Sequence, residues 1–365
     1  MSDGHGLRIA FVALRPQGER MKAWLRSQPV VSALYRRYVV SNSPGAWLFN
    51  HATAGWLYDP QLTATLPIHL KAFAAYCRVQ RRMSLSGHIL GGPGVFKHLA
   101  KLGRRFRAQD SLRVVAGAYV IHLDSYDPRL LQVPNELLPG AEHAPALQRF
   151  LHDGDTFIDV GANHGSLSVL AAHRVGNRGL VVAVEPQTKL ASLVERSLRD
   201  NARAPYRVHC CALGDEEGEA QLFVPAGTSG SAGLHPGFSG TAEHETRRVR
   251  LTTLERLLDG QILPGEMLLK LDVEGNELSV LRGARRLIAK HHPTILIEVN
   301  DASMKAAKVS HEMLIAELKA LGYVCYVEET ALDEVHQLEA LAGVPARNVI
   351  VGTRRQLEPG PSRRP

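Results

Sequence analysis

The sequence predicts an α/β fold: a Rossmann-like, doubly wound and mostly parallel sheet, preceded by a mainly helical N-terminal extension. Three observations predict it. After residue 150, apolar runs of strand length alternate with helix-length segments. Those runs are near-continuous in Val, Ile and Leu, as strands covered on both faces require. The first of them, in "DTFIDVGANHGSLSVLAA" (155–172), enters a glycine-punctuated turn and then an apolar helix, which is how α/β nucleotide sites begin.

In chain order, residues 20–107 read as helices with aromatic and basic faces, among them "MKAWLRSQPVVSALYRRYVV", "LPIHLKAFAAYCRVQRRM" and "FKHLAKLGRRFR". Residues 111–127 read as a strand pair joined at Gly117, and 141–155 as a helix leading into the first core strand. Core strands are expected at 156–162, 179–186, 206–214, 266–273, 293–300, 323–329 and 347–354. Crossover helices such as "TKLASLVERSLRDN" and "NELSVLRGARRLIAKH" lie between most of them. After the third strand, "GEAQLFVP" (218–225) and "RRVRLTTLERLL" flank a Gly/Ser loop, "TSGSAGLHPGFSG" (228–240), which reads first as a linker and alternatively as a lid. Thr252 and Glu255 have the spacing of a capping box for the following helix. The expected organisation is a basic region over 1–110, an α/β domain over 111–355 and a flexible tail over 356–365.

Composition bounds the class. A chain of 365 residues that is 45% apolar can bury a sizeable core. Charge is divided unevenly: residues 1–113 carry 17 basic and 4 acidic side chains, and 114–365 carry 26 and 32. That split suggests a basic appendage on an ordinary acidic enzyme domain. Cys77, Cys210, Cys211 and Cys325 have no metal-binding spacing, so a reducing cytoplasm is expected. The N-terminal run "IAFVAL" lacks a cleavage pattern and reads as no signal peptide. The weakly charged stretch from Tyr38 to His69 is interrupted by prolines before about 18 apolar residues accumulate, which excludes a spanning helix there.

The turn limits its ligand. Gly161 and Gly165 form G-x-x-x-G, without the middle glycine that lets a pyrophosphate approach. Asp159 is expected to aim a carboxylate near the turn, repelling a dinucleotide and favouring the cationic methionine end of S-adenosylmethionine. Glu185 ends the next strand, about where adenosine sites place an acid for the ribose hydroxyls. Asp272 at the fourth strand end and Glu298 inside "ILIEV" are acids that packing does not explain. Glu277 reads as an ordinary complement to a helix dipole, and His164 and His235 as incidental.

Together, "FIDVGANHGSLS", "VVAVEP", "CALGD", "LLKLDVEGNELSVLRGA" and "PTILIEVN" resemble the successive motifs of the FkbM-like family of S-adenosylmethionine-dependent methyltransferases, over about residues 111–354. The resemblance implies a class I methyltransferase fold and methyl transfer to a hydroxyl on a sugar, glycolipid or polyketide-like acceptor. It implies a cofactor turn of Asp159, Gly161, Ala162, Asn163 and Gly165, with Glu185 on the ribose and Ala212 and Leu213 beside the adenine. Asp272 would face the methionine end and the acceptor, and Asn300 stands where the family often has histidine.

Direct attack of a hydroxyl on the methyl needs orientation, dryness and one proton acceptor. Asp272 and Glu298 are the candidate bases, with Glu274 behind them, and no metal is expected. The alternatives are a non-catalytic scaffold that binds S-adenosylmethionine and an NAD-dependent oxidoreductase. Trp24, Trp47 and Trp56 among the basic residues of 1–107 suggest a peripheral contact with an anionic membrane, at the inner face, in preference to nucleic acid. The competing expectation is that these tryptophans pack the segment onto the α/β domain.

Overall fold

The structure is a computed structural model that describes residues 49–59, 65–82, 89, 91–106, 108–141, 143–225, 229–236, 244–342 and 346–358. Helices α1 (Ile68–Arg82) and α2 (Gly92–Arg105) precede an antiparallel hairpin of β1 (Ser111–Ala116) and β2 (Tyr119–Asp124), which turns at Gly117 as its sequence suggests. Short helices α3 (Val133–Glu136) and α4 (Ala144–Phe150) lead into β3 (Thr156–Val160), α5 (Ser166–Arg174), β4 (Leu180–Val184), α6 (Thr188–Asn201) and β5 (Tyr206–His209). Then come β6 (Ala212–Leu213), β7 (Gly218–Pro225), β8 (His244–Thr252), α7 (Leu254–Leu257) and β9 (Met267–Leu271). The chain closes with α8 (Glu277–Arg282), α9 (Arg285–His291), β10 (Thr294–Asn300), α10 (Asp301–Ala306), α11 (His311–Ala320), β11 (Cys325–Glu328), β12 (Ala331–Gln337), β13 (Ala346–Gly352) and α12 (Arg354–Leu357).

The main sheet has eight strands in the order β12-β11-β13-β10-β9-β3-β4-β5. From β10 to β5 all pairings are parallel, whereas β13, β11 and β12 pair antiparallel. The chain starts mid-sheet at β3, runs outward to β5, and returns to the other side of β3 with β9. This places a topological switch point between β3 and β9, where α/β sheets open a crevice.

Alternate residues divide the core. Phe157, Val181, Leu268 and Leu296 join one apolar cluster with α5, α6 and the N-terminal helices; Ile158, Val182, Leu269 and Ile297 join another with α8, α9 and α11. Leu57, Phe73 and Phe96 from before the hairpin are buried in the first cluster.

Three expectations need correction, and one of two alternatives gains an observation. The strand expected over 206–214 is broken: β5 stays in the main sheet, while β6 pairs with β8 in a separate three-stranded sheet. The helix expected over 276–291 is split at Gly283–Ala284, where the chain passes so close to Gly214 that a Cβ on Gly283 would lie 1.9 Å from its carbonyl oxygen. The helix after β8 is capped by Thr253, whose hydroxyl accepts from Arg256 N at 3.1 Å; Thr252 ends the strand, and the Glu255 carboxylate bonds Arg286. Trp56 turns inward and its indole N–H donates to the Leu131 carbonyl at 3.0 Å, a packing role; Trp24 and Trp47 lie outside the described residues. Among the described residues, no helix is long and apolar enough to cross a membrane.

Candidate functional site

The turn after β3 needs left-handed backbone at Gly161 (φ 79°), Asn163 (φ 52°) and Gly165 (φ 81°). Its amides serve the protein. Gly161 and Ala162 donate to the Val184 carbonyl at 2.9 and 3.0 Å, and Asn163 N donates to Glu185 Oε2 at 2.8 Å. Glu185 Oε1 accepts from Gln187 N at 2.9 Å, so one carboxylate joins the turn to the end of β4. Burial pushes Glu185 up to about 7, with the Gln187 and Asn163 amides and the Lys270 charge opposing that rise.

Asp159 does not line the turn's outer surface. It is 1% exposed and lies beneath the turn, where it accepts from the Ser168 hydroxyl at 2.6 Å and pairs with Lys270 Nζ at 3.3 Å. The lysine contact is a charge pair rather than an aligned hydrogen bond, since Asp159 Oδ1 has no hydrogen-bond partner. Lys270 also donates to the Gly161 carbonyl at 2.7 Å and lies 3.4 Å from Asp272 Oδ2. Burial alone would depress its ammonium, but Asp272 and Asp159 overcome this and hold it above the ordinary lysine value. The expectation that Asp159 supplies an attractive field to a cationic ligand is therefore corrected, because its charge is already matched inside the protein.

Two clefts meet above the switch point. The first is an open cleft that encloses about 670 Å³, solvent-filled space included. Gly161, Asn163, Glu185, Ala212, Leu213 and Asp272 line it, with Glu274 at one end. The second, about 610 Å³, is lined by Ala162, Lys270, Asp272 and Glu298 together with Arg129 and Glu136. Asp272 faces both clefts. Gly165 lines neither; it is the left-handed cap of α5 and packs near Val194.

Asp272, Glu274 and Glu298, separate in sequence, offer carboxylate oxygens that all lie within 4.8 Å of one another. Burial raises Glu274 well above the usual carboxylate range, and Glu298 and Asp272 add to this by repulsion. Glu298 is pushed up to about 8 by burial, then by Asp272 and Glu277. Asn300 is a cap: its side chain accepts from Ala302 N at 3.0 Å and starts α10.

The Gly/Ser loop is more than a linker. Ser229–Leu234 closes over the first cleft, with the Ser229 hydroxyl 3.2 Å from Asn163 Nδ2 and its carbonyl 3.4 Å from Gln187 Nε2. Residues 226–228 and 237–243 lie outside the described ones.

The chain has sequence relatives in a known family. A family model described as Methyltransferase FkbM domain matches residues 159–325. This segment is similar to the methyltransferase FkbM domain. A crystal structure of methyltransferase FkbM from Methylobacillus flagellatus is similar at 16% identity and TM-score 0.33, covering 62% of this chain and 54% of that one. The chain thus spans about half the length of that relative. M. jannaschii TYW2 in complex with AdoMet is similar at 11% identity and TM-score 0.34, covering 67% of this chain and 84% of that one. Aeropyrum pernix fibrillarin with bound S-adenosyl-L-methionine is similar at 11% identity and TM-score 0.30, covering 57% and 72%. No curated protein matches the sequence.

The matched domain is described as a methyltransferase domain. Sequence reasoning missed three residues that organise it. Lys270 was legible as a lone charge in the apolar run "MLLKL", which demands a buried carboxylate; its register partner across the sheet is Asp159. Asn276 donates to the Leu213 carbonyl at 2.7 Å and fixes that wall of the first cleft. Glu277 is 4% exposed and accepts from the amides of Val273 and Gly275 at 3.0 and 3.1 Å, shaping the loop that carries Asp272 and Glu274. It is a buried brace of that loop, and the helix-dipole reading of Glu277 is corrected accordingly.

Burial pushes Glu277 up to about 7 from 4.5, against the pull of those amides. Between these pH values the folded chain holds a proton that the unfolded chain has released. This group's stabilisation is thus complete below its unfolded value and disappears as pH rises through about 7. Glu277→Gln cannot ionise, so its stability relative to wild type should improve by up to about 3 kcal/mol between pH 5 and pH 8. Urea denaturation at both pH values measures this; a difference that does not change with pH would reject it.

Proposed function

We propose that the FkbM domain transfers a methyl group from S-adenosylmethionine to a hydroxyl of a sugar, glycolipid or polyketide-like acceptor. The observation that carries this reading is the meeting of the two clefts at Asp272, which gives one cleft for a cofactor and another for an acceptor on either side of a carboxylate. The donor set fits the cofactor. Glu185 keeps lone pairs for ribose hydroxyls beyond its two amide bonds, and Ala212 and Leu213 offer an apolar wall to adenine. With Asp159 neutralised, Asp272 and Glu274 are the acids that would face a cationic methionine end and repel a pyrophosphate. S-adenosylmethionine would supply an electrophilic methyl group. Asp272 and Glu298 stand where an acceptor hydroxyl's proton could be taken up, with Glu274 behind them, and Ser229–Leu234 shields the first cleft from water.

Calorimetry with S-adenosylmethionine and NAD tests the cofactor: binding of the first and not the second is expected. Labelled S-adenosylmethionine offered with glycans, glycolipids and polyketides, with product mass and the attachment atom determined, tests the acceptor. Asp272→Asn should fold normally and lose about 10²–10⁴-fold in methyl transfer. Turnover at the wild-type rate would make Asp272 structural and leave Glu298 as the base. Cofactor binding with no S-adenosylhomocysteine released on any acceptor would instead favour a non-catalytic scaffold.

A further inference from the structure

We propose that Asp272, Glu274 and Glu298 form a divalent-cation site at the meeting of the two clefts, taking Mg²⁺ or Mn²⁺. The site rests on the carboxylate geometry rather than on the methyl-transfer reading, and a cation held there would compete with a cationic methionine end for Asp272 and Glu274.

The sequence conceals it, because residues 272, 274 and 298 have no metal-ligand spacing. The fold brings them together: Asp272 follows β9, Glu274 comes two residues later, and β10 carries Glu298 beside β9 in the parallel sheet. Their oxygens lie within 4.8 Å of one another, close to the spread of ligand oxygens around a small hard cation, whose trans pairs are about 4–5 Å apart. An all-carboxylate set suits Mg²⁺, Mn²⁺ or Ca²⁺ rather than softer metals.

A second observation points to a ligand. Glu274 is 9% exposed, its Oε2 is buried with no hydrogen-bond partner, and one of its carboxylate oxygens belongs to the cluster. Glu298 Oε2 is likewise buried and unpartnered. Buried carboxyl oxygens with no donor from the protein call for a partner, which a shared cation or a proton would supply. Lys270 does not fill that role. It touches Asp272 alone of the three, and its other contacts are with Asp159 and the carbonyls of Val160 and Gly161 beneath the turn.

The test uses chelator-treated full-length protein titrated with Mn²⁺ by calorimetry and electron paramagnetic resonance, with Mg²⁺ as competitor. One Mn²⁺ per chain is expected, displaced by Mg²⁺ and not by Na⁺. Glu274→Gln and Glu298→Gln are nearly isosteric, and each should weaken binding about tenfold or more. Each metal-free variant should melt at or above the wild-type temperature, since like-charge repulsion is reduced. A Mn²⁺-dependent rise in the wild-type melting temperature is a second readout that requires no variant. Absence of saturable binding up to about 10 mM, beyond the weakest oxygen-ligand sites, would overturn the proposal. So would both variants binding as tightly as wild type.

Discussion

Lys270→Met is expected to destabilise the fold by about 3–5 kcal/mol, the usual cost of leaving one member of a buried ion pair without its partner. The lysine is 7% exposed and is the only cation contacting Asp159 among the described residues. Removing it leaves a carboxylate that is 1% exposed with a single hydroxyl bond, from Ser168, under the turn that shapes the first cleft. The double variant Lys270→Met with Asp159→Asn should recover much of the loss, because neither charge is then buried alone. Denaturation of both variants measures the effect. A single variant within about 1 kcal/mol of wild type would show that the pair is solvated after all.

Gly161→Ala is expected to abolish cofactor binding while leaving most of the sheet folded. A Cβ there would lie 1.9 Å from the Asp272 carbonyl oxygen, on a residue whose φ of 79° already disfavours a side chain. Left-handed strain costs about 1–2 kcal/mol and overpacking about 1–3 kcal/mol more. The larger consequence is geometric, since β3 and β9 must part where both clefts are built, and a shift of about 1 Å can cost about 100-fold in a positioned site. Calorimetry with S-adenosylmethionine is the measurement, with circular dichroism to confirm folding. Unchanged affinity would mean that the turn does not hold the cofactor.

The central strands were legible because β3, β4, β9 and β10 are runs buried on both faces, and such runs admit almost only apolar residues. The glycine turn was legible for a similar reason: few other residues take those backbone angles. What failed was local competition between equal signals. "YRVHCCALG" is β-prone throughout, and nothing in it marks the change of partner between β5 and β6. Thr252 and Thr253 are both good caps, and a one-residue choice between them depends on where β8 ends. The helix breaks at Gly283, which packs on Gly214, a residue 69 positions away whose proximity no local pattern reveals. β12, "ALDEVHQ", is too polar and too exposed at the sheet edge to stand out, and it was missed.

The site was legible by residue type but not by role. Glu185, Asp272, Glu274 and Glu298 do converge on the clefts, as acids at strand ends are inclined to do. Asp159 was misjudged because a strand-end carboxylate can turn outward or inward, and only the lysine on β9 decides which. Glu277 was misjudged because the helix it begins hides the backbone loop that it braces.

The apolar cluster shared by Phe73, Phe96, Phe157 and Leu296 has no seam between the N-terminal helices and the sheet. A shared core is expected to couple the helices ahead of the hairpin to the half of the chain that holds the clefts. Damage to a residue such as Phe73, which lines neither cleft, would therefore emerge as lost protein abundance rather than altered binding at the clefts.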